Sequence, residues 1–89
     1  MMQRNSQSGP FADPSMRRLP PLTAIEAFVA VARTGSVKAA AQELALSPPA
    51  LSRRVQTLER FIERPLFDRR HQAVVPNADG ERLLALIAP

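Results

Sequence analysis

Residues 46–60 read LSPPALSRRVQTLER. Two adjacent prolines ordinarily stop a helix, yet these two precede apolar residues that recur with helical spacing. The order Ser47-Pro48-Pro49 resolves the conflict. Serine is a favoured N-cap, and proline is tolerated in a first helical turn because its missing N–H would have no intrahelical partner. The stretch therefore predicts a helix over 48–62. Leu51, Val55, Leu58 and Ile62 share one stripe of that helix, the face to be buried. Pro49, Arg53, Gln56 and Arg60 lie opposite, with Ser52 on the flank nearer the helix start. Arg54 falls close to the rim of the apolar stripe, a place for a phosphate contact or an ion pair. Forked arginine donors suit guanine O6 and N7, and hydroxyl or amide groups suit other base edges and phosphates. A solvated helix face has the same composition, so this stretch alone leaves both readings open.

Upstream, Leu22, Ile25, Phe28, Val29 and Ala32 recur on one face and predict a helix over 22–33. Gly35 follows as a left-handed closing residue. Ser36 then caps a short helix over 37–44, with Val37, Ala40, Ala41 and Leu44 inward. Downstream, Leu66, Phe67, Val74 and Val75 flank a polar tip, Asp68 to Gln72. This predicts a two-stranded hairpin with Pro76 closing the second strand at an edge position. Arg69, Arg70 and His71 sit at or near its tip, where they can meet phosphate or a minor groove. Asn77 caps a final helix carrying Leu83, Leu84, Leu86 and Ile87. Those apolar residues suit a partner helix, closure onto the first helix, or both. Residues 1–21, rich in Ser, Gln, Asn and Pro, show no periodicity and read as a disordered arm. Arg17 and Arg18 within it could touch a DNA backbone, although a solvated tail accounts for them more simply.

Composition narrows the function classes. At 89 residues and 45% hydrophobic content the chain makes one small domain. It has no cysteine and a single histidine, His71, which removes disulfides, thiolate metal sites and Cys/His catalysis. His71 reads as an exposed polar residue, and no metal or cofactor is implied. No apolar run approaches a membrane span or a signal peptide core, so a cytosolic protein is expected. The net charge of +4 is carried by eleven arginines and one lysine against eight acids. Such a bias favours an anionic partner, though charge alone also fits a merely basic surface.

The segment AFVAVARTGSVKAAAQELALSPPALSRRVQTLERFIERPLFDRR, followed by NADGERL, resembles the DNA-binding domain of LysR-type transcriptional regulators. The similarity covers about residues 19–88, and GSVKAAAQEL, PALSRRVQTLE, PLFDR and ADGERL occur in the family's order. It implies a mainly α winged helix-turn-helix over 22–76, with recognition helix 48–62 and a wing at 68–72. A linker helix beginning within 77–89 is then implied to pair with its counterpart in a homodimer through Leu83, Leu84 and Ile87. The DNA-facing set implied by the resemblance is Ser47 as cap, Pro49, Ser52 and Arg53 on the recognition helix, and Arg69 in the wing. The resemblance also puts Pro48 at a DNA-facing position, and the residue pattern adds Arg54, Gln56 and Arg70. The implied partner is dyad-symmetric double-stranded DNA in the bacterial cytoplasm, at the nucleoid. Family members continue into a larger effector-binding domain, so a DNA-binding fragment is expected. A small-molecule effector would act only through the part outside these residues, and association of the fragment would be weak.

Three positions depart from the family's pattern. Pro48 stands where many members carry glutamine, removing a side chain that often faces DNA. Glu63 replaces a glycine before the PLF segment, and Asn77 replaces a capping threonine. Pro89 would kink or stop the linker helix. Other classes fit less well. A winged-helix module that binds protein would carry apolar or acidic residues where this helix has Arg53, Gln56 and Arg60. An enzyme would need convergent groups, whereas Glu26, Glu43, Glu59 and Glu63 are scattered. A molybdate-responsive or related regulator shares a similar winged N-terminal domain and stays open as an alternative.

Overall fold

A computed structural model describes residues 20–71 and 73–87. The N-terminal arm with Arg17 and Arg18, the tip residue Gln72 and the terminal Pro89 lie outside the described residues. Four helices and one hairpin follow in order: α1 (Leu22–Thr34), α2 (Val37–Glu43), α3 (Pro48–Ile62), β1 (Phe67–Arg70), β2 (Ala73–Pro76) and α4 (Ala78–Ile87).

Helix α1 buries Ala24, Ala27, Phe28, Ala30 and Val31. The inward stripe is thus rotated from the predicted one. Ile25 and Val29 are half-buried flanks, and Leu22 is 77% exposed. The alanines take the centre because they let α2 and α3 approach closely, while the bulkier residues close the edges. Pro21 supplies no side-chain cap, and its carbonyl instead accepts from the Ala24 and Ile25 amides. Gly35 closes α1 at φ 71, its N–H donating to the Val31 carbonyl.

Ser36 starts α2 by accepting from the Ala39 N–H at 3.0 Å. Leu44, predicted within this helix, is its closing residue. The turn into α3 is a Schellman closure: the Leu46 N–H donates to the Ala41 carbonyl and the Ala45 N–H to that of Gln42. Ala45 lies at φ 57, a left-handed conformation that favours glycine. Helix α3 spans the predicted residues and buries Leu51, Val55 and Leu58. At its start Ser47 serves two backbone donors. Pro48 and Pro49 have none, the Ala50 N–H is taken by the Ser47 hydroxyl, and the Leu51 N–H by the Ser47 carbonyl. The helix ends at Glu63, φ 64, where the Glu63 and Arg64 amides both donate to the Glu59 carbonyl.

The strands pair antiparallel, Phe67 opposite Pro76 and Arg70 opposite Ala73. The predicted polar tip of 68–72 is therefore too long. Asp68, Arg69 and Arg70 belong to β1, and residues 71 and 72 alone connect the strands, His71 at φ 57. A two-residue hairpin loop needs such positive φ to match the strand twist. The Val74 N–H donates to the Gly35 carbonyl at 3.2 Å, fastening the hairpin to the α1–α2 turn.

The core has two parts. One gathers Ala27, Val31, Ala40, Leu51, Val55 and Val74, and the other Ala24, Phe28, Leu58 and Leu66. Phe67 packs against both, its ring 5.4 Å from that of Phe28. Leu83 and Leu84 of α4 pack on the second part and are half-buried. Closure onto the domain thus claims two of the three residues expected at a dimer seam, and the exposed apolar side chains of α4 are Leu86 and Ile87. Asn77 sets the direction of α4. Its Oδ1 accepts from the Gly80 N–H, its Nδ2 donates to the Pro65 carbonyl, and its own N–H donates to the Leu66 carbonyl. Gly80 itself is buried at a close crossing, where a Cβ would lie 2.3 Å from the Leu66 carbonyl oxygen.

These positions carry opposite expectations for substitution. Ala45→Gly and Glu63→Gly each relieve a left-handed non-glycine residue and should raise stability by about 1 kcal/mol. Gly80→Ala must push α4 off the Leu66 carbonyl and should cost about 1–3 kcal/mol. Thermal melts of the three variants test this, and an unchanged or lower midpoint for either glycine variant rejects the strain.

Candidate nucleic-acid interface

The outward face of α3 is an arginine-lined shelf. Arg53, Gln56 and Arg60 are exposed, while Arg54 and Thr57 are half-buried. Together with Ala50 these five border a shallow cleft of about 510 Å³. Thr57 donates its hydroxyl to the Arg53 carbonyl and accepts from Arg60 Nη2 at 3.4 Å, which lays the Arg60 side chain along the helix. Pro48 and Pro49 are exposed at the leading end, and Ser47 with them. The Ser47 hydroxyl is engaged in its capping bond, and the double proline removes two N–H donors from this helix start.

A second feature lies between α3 and the wing. It is a groove of about 280 Å³ whose walls include Val31, Val37, Val55 and Val74. Ser52, Gln56 and Glu59 of α3 line it on one side, and Phe67 and Arg69 of β1 on the other. Side chains alternate along a strand, so Arg69 shares the face of Phe67 and reaches the groove. Arg70 shares the opposite face with Asp68. The two wing arginines, paired at the tip by sequence, are thus separated: only Arg69 stands beside the recognition helix.

Charge is sorted across the domain. Arg33 pairs with Glu43, Arg82 with Asp79, and Arg64 with Asp79 at 3.7 Å. Among the described residues no carboxylate pairs with Arg53, Arg54, Arg60, Arg69 or Arg70. The ion-pair alternative for Arg54 therefore finds no partner there. Five guanidinium groups on α3 and β1 have no carboxylate partner, and the arginines elsewhere in the described domain each have one. Nor do the described residues contain a group of three His, Asp or Glu able to hold a metal ion.

The sequence-derived set is thus split between the shelf (Arg53, Arg54, Gln56), the groove (Ser52, Gln56, Arg69), the capping turn (Ser47, Pro48, Pro49) and the far wing face (Arg70). Residues outside that set also matter. Arg60 faces the shelf, and its place opposite the apolar stripe was a usable signal. Thr57 holds Arg60 through a bond no periodicity reveals. Glu59 was read as one of several scattered acids, yet its carboxylate accepts from the Leu66 N–H at 2.8 Å where the chain turns into the wing.

Residues 22–81 match the family described as "Bacterial regulatory helix-turn-helix protein, lysR family". A curated relative, the HTH-type transcriptional regulator AbaB of Streptomyces antibioticus, is 43% identical over 68 residues, covering 76% of this chain and 23% of that protein. Among solved structures, a probable transcriptional regulator from Pseudomonas aeruginosa superposes with a TM-score of 0.75 at 35% identity, over 84% of this chain and 25% of the other. A CbnR_DBD–DNA complex superposes with a TM-score of 0.69 at 32% identity, over 73% of this chain and 75% of the other. The chain spans about a quarter or less of the length of the curated relatives it matches.

Proposed function

Because the chain belongs to the lysR family of bacterial regulatory helix-turn-helix proteins, we propose that it binds double-stranded DNA in a sequence-specific way, with α3 in the major groove and the hairpin wing on the backbone or minor groove. The observation that carries this reading is the sorting of charge. Guanidinium groups without carboxylate partners gather on α3 and β1, while Arg33 is paired with Glu43, and Arg64 and Arg82 share Asp79. A solvated surface has no reason to separate its arginines so. A solved structure similar to this chain is a complex with DNA, which supports DNA as the partner.

Within this reading the shelf reads bases and the wing anchors. Arg53 is exposed one turn and more into α3, where a forked side chain can reach a guanine edge, with Gln56 beside it. Arg54 and Arg60 flank it at a spacing suited to phosphates on either side of the groove. Ser52 and Arg69 line the channel a strand would cross between major groove and wing. Pro48 and Pro49 present only apolar surface and no N–H at the leading end, so their own contact is to a thymine methyl or a sugar. The function is binding without catalysis, as expected beside relatives named as transcriptional regulators.

Assembly would use α4. The face left open carries Leu86 and Ile87, with Leu83 and Leu84 partly engaged on the domain itself. A seam this short associates weakly, and two half-sites on DNA would supply the proximity it lacks. In a longer protein, effector binding would lie beyond these residues. No described helix is long and apolar enough to cross a membrane, and the proposed place of action is the bacterial cytoplasm, at the nucleoid.

Selection of bound sites from a random duplex library tests the reading, with enrichment of a dyad-symmetric sequence expected and no enrichment fatal to it. Arg53→Ala should cost about 1–3 kcal/mol on the selected site and relax one base preference per half-site. Arg69→Ala should weaken selected and scrambled duplexes alike and lower the salt slope by about one unit. Titrations across a salt series distinguish the two, and equal loss on both duplexes for Arg53→Ala would reverse the assignment. Leu86→Glu should abolish self-association in sedimentation without lowering the melting midpoint, whereas Leu84→Glu should lower that midpoint.

A further inference from the structure

Glu59 receives three amide N–H groups of the segment that joins the recognition helix to the wing. Its carbonyl accepts from Glu63 at 2.7 Å and Arg64 at 3.1 Å, and its carboxylate accepts from Leu66 at 2.8 Å. The first two bonds are ordinary helix closure. The third is not. It ties a side chain of α3 to the residue directly before β1, and β1 then carries Phe67 into the core and Arg69 into the groove that Glu59 also lines.

We infer that Glu59 is a positioning residue for DNA binding: by fixing the Leu66 amide it sets the angle between recognition helix and wing, and so holds Arg69 at the backbone. The inference rests on the DNA-binding reading above. It has an unusual feature, in that a negative charge beside a phosphate-binding groove should by simple electrostatics weaken binding. The bond to the Leu66 N–H is the favourable contribution set against that cost. Charge removal and loss of positioning therefore act with opposite sign, and variants can separate them. Glu59→Gln removes the charge and keeps an acceptor oxygen for the Leu66 N–H. Glu59→Ala removes both.

The test measures binding of the 89-residue chain to a labelled random-sequence duplex across a salt series, since a phosphate contact needs no particular sequence. Glu59→Ala should lower the salt slope by about one unit, as Arg69→Ala does. Glu59→Gln should keep the wild-type slope and bind at least as tightly. In an Arg69→Ala background, Glu59→Ala should produce no further loss of slope, because the residue acts through Arg69. If Glu59→Ala does not fold, as judged by its melt, Glu59→Asp replaces it, its carboxylate withdrawn from Leu66 by one methylene, with the same expectation. A wild-type slope in Glu59→Ala, or additive losses in the double variant, would overturn the inference while leaving the DNA reading intact, provided the wild type binds and Arg69→Ala weakens it. A wild type without salt-dependent binding would overturn both.

Discussion

The contact between Phe67 and Phe28 holds the wing to the helical domain. Two strands of four residues do not persist alone in water, so the hairpin exists by virtue of what it packs on. Phe67 is the residue that reaches inward, touching both parts of the core. Val74 follows it from the opposite strand, buried and bonded through its N–H to the Gly35 carbonyl. Once these two are seated, strand alternation dictates the rest: Arg69 must face the recognition helix and Arg70 must face away.

A similar economy governs the start of α3. The double proline places a rigid helix start where a helix-turn-helix must change direction within a few residues, and it removes two donors that would otherwise need partners. Ser47 satisfies the Ala50 and Leu51 donors with its hydroxyl and carbonyl. Pro48 and Pro49 themselves offer an anion no backbone donor. The guanidinium groups of α3 and β1 have no carboxylate partner, whereas Arg33 pairs with Glu43, and Arg64 and Arg82 share Asp79.

Positive φ at Gly35, Ala45, Glu63 and His71 marks the sharp reversals of the domain, and only the first is a glycine. In a fold this small each reversal is over-determined by its surroundings. The Schellman bonds of Leu46 hold Ala45, and the three bonds to Glu59 hold the segment around Glu63. Such strain is tolerated because the alternatives would expose Leu51, Leu58 or Leu66. Gly80 shows the converse case. Its φ is ordinary, and its requirement comes from the Leu66 carbonyl lying against it.

Much of this was legible in the residues themselves. The period of Leu51, Val55 and Leu58, the serine caps at Ser36 and Ser47, the Asn77 cap and the turn at Gly35 are local patterns, governed by interactions within a few positions. They determined the order of the elements, the extent of α3 and its arginine face. The hairpin and the final helix were legible in the same way, and family resemblance, carried by four short motifs, identified them as wing and linker. What local pattern could not decide was anything set by contact between distant segments. The rotation of α1 that exposes Leu22, the length of β1, and the engagement of Leu83 and Leu84 with the core all depend on which surfaces meet. So do the separation of Arg69 from Arg70 and the bond from Glu59 to Leu66. Helical and strand periodicity specify which side of an element is apolar; only packing specifies which neighbour that side finds, and the functional geometry of this domain lies in those neighbours.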